Sequence, residues 1–102
     1  MTIHYFDSLG HWVAFRTSEI NKNLFSPTAK WIGWLAWNDN DVCGVATKMY
    51  LGTLVGDRLL KKVHPPSHFT PFTPFTPFTP FTPFTPFSKH SIGLPAGYVD
   101  VH

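Results

Sequence analysis

Residues 4–15 read HYFDSLGHWVAF, and the order of residue types in this stretch recurs along the first half of the chain. An apolar pair, Tyr5-Phe6, precedes a turn-forming tetrapeptide, and an aromatic, an aliphatic and a small residue follow at residues 12–14. Two short apolar runs joined by turn residues are typical of a β-hairpin. The same three residue types return at a spacing of 19, which predicts three related hairpins. The aligned positions are Trp12, Trp31 and Tyr50, then Val13, Ile32 and Leu51, then Ala14, Gly33 and Gly52.

Each predicted hairpin has its own turn. Residues 7–10 and 26–29 are turns by residue type, whereas residues 45–48 are a turn only by their position in the repeat. The small residue of the third column, Ala14, Gly33 or Gly52, indicates a bulge or a place where another backbone comes close.

Polar breakers separate the remaining apolar runs. Residues 37–41, WNDND, form a polar turn, and Gly56-Asp57 is a tight hairpin connection. The sequence therefore predicts an all-β fold, a meander of short antiparallel hairpins in a domain at residues 1–63. We expect its strands at residues 3–6, 12–17, 23–26, 31–37, 42–45, 50–55 and 58–63.

A low-complexity tail follows at residues 64–88. Residues 69–88 read FTPFTPFTPFTPFTPFTPFS, and proline at every third position excludes a helix and favours polyproline II geometry. Polyproline II has three residues per turn, so one edge carries every phenylalanine of the repeat, a set named here the Phe ridge. Its members are Phe69, Phe72, Phe75, Phe78, Phe81, Phe84 and Phe87. Residues 89–102 form a C-terminal segment with no evident pattern.

Composition narrows the function classes. A net charge of +2 with scattered basic residues argues against nucleic acid as a partner, and no apolar run is long enough to span a membrane. The single cysteine, Cys43, excludes an internal disulfide, and the first residues carry no secretory signal, so we expect a cytoplasmic protein, with non-classical export as the open alternative. No residue pattern indicates a cofactor, and we expect none. A domain of about 60 residues is marginally stable by itself, which favours a homo-oligomer or support from the tail.

The stretches HYFDSLGHWVAF (4–15), KWIGWLAW (30–37) and YLGTLVGDRL (50–59), followed by a proline-containing tail, resemble the four-fold β-flower family of small bacterial proteins. The resemblance covers residues 1 to 63. It implies hairpins arranged like petals and a repetitive tail, and it implies no particular activity. The tail here repeats Phe-Thr-Pro where the family often has Gly-Tyr-Pro. Either the seventh strand closes on the first, or a neighbouring chain completes the ring.

Several residues have types found in active or metal sites. His64 and His68 have metal-ligand spacing on a helix, but the two prolines between them forbid that helix, so we expect a solvated linker. Cys43 lies in a predicted strand and is expected to be a small buried residue. Asp39, Asp41 and Asp57 lie in predicted turns, where aspartate is common for backbone reasons. We therefore predict neither a catalytic nor a metal site, and no enzymatic activity.

Aromatic residues offer the remaining candidates. Trp31 belongs to the repeated column and is expected in the core, whereas Trp34 and Trp37 are candidates for an open aromatic face that binds a peptide, a saccharide or the tail. We expect a structural or interaction module that assembles with itself, with the Phe ridge covered by its own domain or by a neighbour. A binding module is the alternative. The repeat can also be a recent expansion of a nine-nucleotide unit without a role.

Overall fold

The computed structural model describes residues 2–101 and contains only β-strands as regular elements in that range. Met1 and His102, the outermost residues of the predicted domain and C-terminal segment, lie outside the described residues. The predicted all-β class is confirmed. The strands are β1 (Ile3–Phe6), β2 (Trp12–Arg16), β3 (Asn23–Phe25), β4 (Trp31–Trp34), β5 (Asp41–Gly44), β6 (Tyr50–Val55), β7 (Arg58–Lys62) and β8 (Tyr98–Asp100).

Each strand pairs antiparallel with the next, from β1 to β8. The hairpins β1–β2, β3–β4 and β5–β6 share one irregularity, a register shift that falls just before the turn. There the last partners are Phe6 with Trp12, Phe25 with Trp31, and Cys43 with Tyr50. Such a bulge places two residues of one strand opposite one of its partner and increases the local twist.

The turns of these hairpins also contain a residue with left-handed backbone conformation. Gly10 has φ 90°, Ala29 has φ 65° and Lys48 has φ 59°. Only glycine adopts such angles freely, so the alanine and the lysine are held there by the hydrogen bonds of their turns. Ala29 N–H donates to the Ser26 carbonyl (2.8 Å), and Lys48 N–H donates to the Gly44 carbonyl (2.9 Å).

The sheet closes into a barrel of seven strands because β7 also pairs with β1, in parallel, where Phe6 lies opposite Arg58. The Phe6 N–H donates to the Asp57 carbonyl at 2.9 Å, and the Arg58 guanidinium donates to the Asp7 carbonyl at 2.8 Å. Closure pairs β1 with β7, so β1 is no longer a free edge, whereas β8 pairs with β7 alone. The seventh strand therefore closes on the first within one chain, and the ring needs no neighbouring chain.

The small residues at positions 33 and 52 let the backbones of neighbouring strands come close, as the 19-residue pattern predicts. A Cβ at Gly33 would lie 2.7 Å from the Cys43 carbonyl oxygen, and one at Gly52 would lie 2.8 Å from the Leu60 carbonyl oxygen. Since the obstacles are backbone atoms of the next strand, a side chain at these positions would push the strands apart.

The interior of the barrel is apolar and draws on every strand of the ring. Its fully buried members include Ala14, Leu24 and Val42, with Tyr5, Leu54 and Leu59 around them. A second cluster lies between the first two hairpins, where the Phe15 and Phe25 rings contact each other with centroids 5.6 Å apart and planes tilted by 31°. Trp12 and Trp31 pack against it. Each indole N–H donates to the carbonyl two residues further along the chain, Trp12 to Ala14 (2.9 Å) and Trp31 to Gly33 (3.0 Å).

Five of the seven predicted strands differ from the structure at one or both ends, four of them by one residue at an end. β4 ends at Trp34 rather than at residue 37, because residues 35–40 turn toward β5, and β5 starts at Asp41. β8 was not predicted at all. Its three residues pair with β7, so the C-terminal segment belongs to the sheet.

The long connection between β7 and β8, residues 63–97, is named here the strap. It contains no helix and no strand, and its two ends meet, since Val63 N–H donates to the Gly97 carbonyl at 2.8 Å. Twenty residues in polyproline II geometry would reach about 60 Å, whereas the longest dimension of the molecule is 36 Å, so the strap is curved.

Candidate functional site

The Phe ridge is the most exposed apolar feature of the molecule. The phenyl rings from Phe72 to Phe87 are 97–101% exposed, and Phe69 is 74% exposed. The prolines of the same segment are mostly half-buried, at positions 71, 77, 80, 83 and 86. The rings therefore do not pack on the barrel of their own chain. This differs from one of the two predicted arrangements, in which the Phe ridge is covered by its own domain.

Trp34 and Trp37, the two residues of the predicted open aromatic face, are buried and half-buried in the structure. Trp34 is only 6% exposed and packs against Trp31, with ring centroids 6.0 Å apart, so it offers no surface to a ligand. Trp37 is half-buried and its indole stacks on the His68 imidazole at a centroid distance of 4.0 Å and an angle of 7°. Its N–H donates to the Phe69 carbonyl at 3.0 Å. The tail thus reaches Trp37 at the base of the repeat, through His68 and a backbone carbonyl.

The base of the strap is held by a polar network around Asp41, named here the Asp41 network. One carboxylate oxygen accepts from the Thr53 hydroxyl (2.7 Å) and from the Lys62 ammonium (3.1 Å), and the other lies 2.9 Å from His68 Nε2. Tyr50 completes the network, because its hydroxyl contacts the Thr53 hydroxyl at 2.6 Å and accepts from the Lys62 N–H at 2.9 Å. Asp41 is 4% exposed, so these partners replace the water that the buried charge has lost.

Electrostatics follow from this geometry. Burial would raise the pKa of the Asp41 carboxyl, but hydrogen bonds from His68, Thr53 and Lys62, together with the Lys62 charge, hold that pKa below its usual value. The hydrogen bond to Asp41 raises the pKa of Lys62 against a smaller opposing effect of burial. The pair is therefore charged over the whole neutral range.

Asp39, Asp41 and His68 are close enough to share a cation, since their donor atoms lie within 4.8 Å of one another. The Lys62 ammonium already neutralises the Asp41 carboxylate and would repel a cation from it. The cluster is thus better described as an ion-pair and hydrogen-bond network that fixes the strap. The sequence predicts a solvated linker for His64 and His68, because the two prolines between them forbid a helix, whereas in the structure His68 contacts Asp41 and Trp37. The sequence signal for this contact was the polar turn at residues 37–41, because the polar side chains of such a turn need hydrogen-bond partners.

The other candidates are structural. Cys43 lies in β5 and is fully buried, and burial raises the pKa of its thiol more than the nearby Lys48 lowers it, so the thiol stays protonated. Asp57 pairs with Arg58 at 3.2 Å and with Lys89 at 3.2 Å, which ties the far end of the strap to the barrel. Burial raises the pKa of Asp57, but Lys89 and Arg58 together lower it below its usual value.

An apolar cavity of about 510 Å³, named here the mouth cavity, opens at the barrel surface. Four half-buried aliphatic side chains line it, Val13, Ile32, Leu51 and Val101, and the first three form the aliphatic column of the 19-residue pattern. Trp12, Trp31 and Pro27 contribute further apolar surface. The sequence pattern could have predicted this convergence, because equivalent positions of hairpins that close into a ring face the same axis.

Comparison of the chain with protein-family models, with curated proteins and with solved structures found no match. Among residues 2–101 there is also no helix of the length and apolarity that crossing a membrane requires. The barrel, the strap and the mouth cavity are therefore the features from which function is inferred.

Proposed function

We propose that this protein is a non-enzymatic assembly module in which the β-barrel presents the Phe ridge to other copies of the chain. The single observation that supports this is the exposure of six successive phenyl rings, 97–101% each, on a segment whose two ends are fixed to the barrel. Exposed apolar patches of this extent mark interaction surfaces. Each ring that becomes covered contributes about 1.5–3 kcal/mol.

Two groups that could act as a nucleophile or a base are engaged or buried in the part of the chain that the structure describes, which also favours a module without enzymatic activity. The Cys43 thiol is buried and protonated, and His68 is engaged with Asp41 and stacked on Trp37. Neither group is free to act on a substrate.

We further propose that the barrel is built from related units, as in the four-fold β-flower proteins that the sequence resembles. Three findings support a common 19-residue hairpin: the register shifts at equivalent positions, the left-handed residues at 10, 29 and 48, and the repeated indole-to-carbonyl hydrogen bonds. In this interpretation β7 and β8 form a fourth hairpin whose turn has been replaced by the strap. The period of three in proline and phenylalanine burial supports polyproline II geometry for the repeat.

Light scattering on the full-length chain tests the proposed assembly. We expect the average mass of the wild type to rise above 11.6 kDa with concentration, and a ridge variant with Phe72, Phe75, Phe81 and Phe84 changed to Ser, which leaves no two successive rings, to remain monomeric. The matched control changes Thr76, Thr79, Thr82 and Thr85 to Ser and should assemble like the wild type. Since the four rings touch solvent alone, the melting temperature of the ridge variant should stay within about 2 °C of the wild type. A wild type that stays monomeric up to millimolar concentration would refute the proposal.

The mouth cavity favours a second candidate function, the binding of an external apolar peptide. Two tryptophans and a proline around an apolar depression are typical of grooves that bind extended proline-rich segments. A binding module of this kind need not assemble, so the mass measurement separates the two functions.

A further inference from the structure

We propose that the mouth cavity of one chain is the docking site for the Phe ridge of a second copy, an inference that rests on the assembly function proposed above. The chain carries both halves of such a contact. The mouth cavity is lined mostly by apolar side chains, with Ser26 and Lys30 as its polar members, and the Phe–Thr–Pro repeat is an uncharged segment with exposed rings. None of the cavity-lining residues belongs to the strap, so the two surfaces are separate within one molecule.

Size agrees with this pairing. An apolar cavity of about 150 Å³ accepts one benzene ring, so a volume of about 510 Å³ is ample for the rings of two successive repeats. In polyproline II geometry successive ridge rings are about 9 Å apart, which is comparable with the width of a compact cavity of this volume. The prolines between the rings are mostly half-buried against their own barrel, so the phenyl rings alone would enter the cavity and pack against Trp12, Trp31 and Pro27.

The area buried predicts a weak contact. Two phenylalanine side chains bury about 300–500 Å², below the roughly 800 Å² per partner of a standard interface. Two features offset this weakness. The strap is pinned at both ends, so less freedom is lost on binding, and the ridge offers several equivalent pairs of rings to one cavity.

The contact is heterologous, because the ridge of one chain meets the cavity of the next rather than its own equivalent. Interfaces of this kind extend into open chains unless a rotation closes them. Assembly through ridge–ridge contacts would instead need no cavity, and this difference can be tested.

The test uses full-length chains with one half of the contact removed in each. The cavity variant is Ala46→Asp, which places a carboxylate at an exposed position that lines the mouth cavity. Its control is Ile20→Asp, which places the same charge on a 92% exposed position away from the cavity. The ridge variant with four serines removes the other half of the contact. Melting curves like that of the wild type establish that each variant is folded.

We expect the cavity variant and the ridge variant each to stay near 11.6 kDa, and the Ile20 control to assemble like the wild type. A mixture of the two variants should form complexes of at least twofold the monomer mass, in which ridge variants bind the ridge of one cavity variant. These complexes should not extend into chains, because neither variant carries both halves of the contact. If the cavity variant assembles like the wild type while the ridge variant does not, the docking site is wrong and the assembly function stands. If the wild type itself is monomeric, both fail.

A peptide measurement keeps the inference testable if Ala46→Asp does not fold. The peptide FTPFTPF, residues 75–81, is added to the ridge variant, and the methyl resonances of Val13, Ile32, Leu51 and Val101 are followed. Saturable shifts with this peptide, and at least tenfold weaker binding of STPSTPS, support the docking site. Equal responses to the two peptides, or shifts confined to other residues, would overturn it.

Discussion

Single residues decide how the strap lies against the barrel. Gly10 has φ 90°, and its carbonyl accepts from the Lys89 N–H at 3.1 Å. A side chain at residue 10 would overlap the Lys89 carbonyl, because that oxygen occupies the place where a Cβ would stand. Glycine is therefore required there twice, for the backbone angle and for the contact with the returning strap.

Two glycine-to-alanine substitutions separate these requirements. Gly56 has φ 60° and nothing within 4 Å of its Cβ position, so Gly56→Ala should cost only the backbone strain, about 1–2 kcal/mol. Gly10→Ala should cost roughly 1–3 kcal/mol more, because the methyl group must also displace the strap. Urea unfolding gives both values, and hydrogen exchange of the Lys89 amide reports the displacement. Equal costs for the two substitutions would show that the strap yields freely at this point.

At the scale of elements, the hairpins and the strap are stabilised differently. The hairpins are secured by their ladders and by the apolar interior, whereas the base of the strap depends on the Asp41 network and on the stacking of His68 on Trp37. Asp41 is the centre of that network, because it contacts β6 through Thr53, β7 through Lys62 and the strap through His68.

Removing the charge of Asp41 should release the base of the strap. We expect Asp41→Asn to lower the free energy of unfolding by about 1–3 kcal/mol, since it leaves the Lys62 ammonium without its carboxylate. Asp39→Asn is the control, because Asp39 is exposed and lies 3.7 Å from His68, and it should cost less than about 0.5 kcal/mol. Trp37 fluorescence, measured against Trp37→Phe, should change in the first variant alone.

The same network sets a pH dependence. The pKa of Asp41 in the folded protein lies below the usual value of 3.8, so the unfolded chain binds more protons at this carboxyl. Its stabilising contribution is complete above about pH 4 and is lost as the pH falls through the folded-state pKa. The pKa of Lys62 is raised above 10.5, so its contribution is lost only as the pH rises through that higher value. Asp41→Asn should flatten the acid side of the stability profile, and an unchanged acid limb would count against this role.

The strands of the hairpins could be predicted from sequence because the information is local. Turn residues, apolar pairs and the 19-residue spacing place seven strands within a few residues of their positions, with the largest error at the end of β4. Contacts between distant residues could not be predicted in this way. β8 has only three residues and pairs with β7 across the whole strap. His68 lies 27 positions from Asp41, and no periodicity links them.

At the scale of the whole molecule, the repeat is an insertion between two paired strands. Val63 and Gly97 meet through a backbone hydrogen bond, so the barrel fixes both ends of the strap whatever its length. The cost of closing a flexible loop rises only by about 0.6 kcal/mol when its length doubles. The stability of the fold is therefore nearly independent of the number of Phe–Thr–Pro units, and so of phenyl rings, in the strap.

A change of one Phe–Thr–Pro unit tests this independence. Deleting residues 78–80 or inserting one further unit after residue 80 should leave the melting temperature within about 2 °C of the wild type. The average mass at a fixed high concentration should fall with the deletion and rise with the insertion, because the number of rings available to a neighbour changes. A large loss of stability in either variant would instead mean that the middle of the strap packs in one required register.

A segment that lengthens or shortens in steps of three residues between two fixed ends can change the amount of exposed apolar surface while the barrel keeps its strand pairing. Under the proposed function, the strength of self-association would follow the number of repeats.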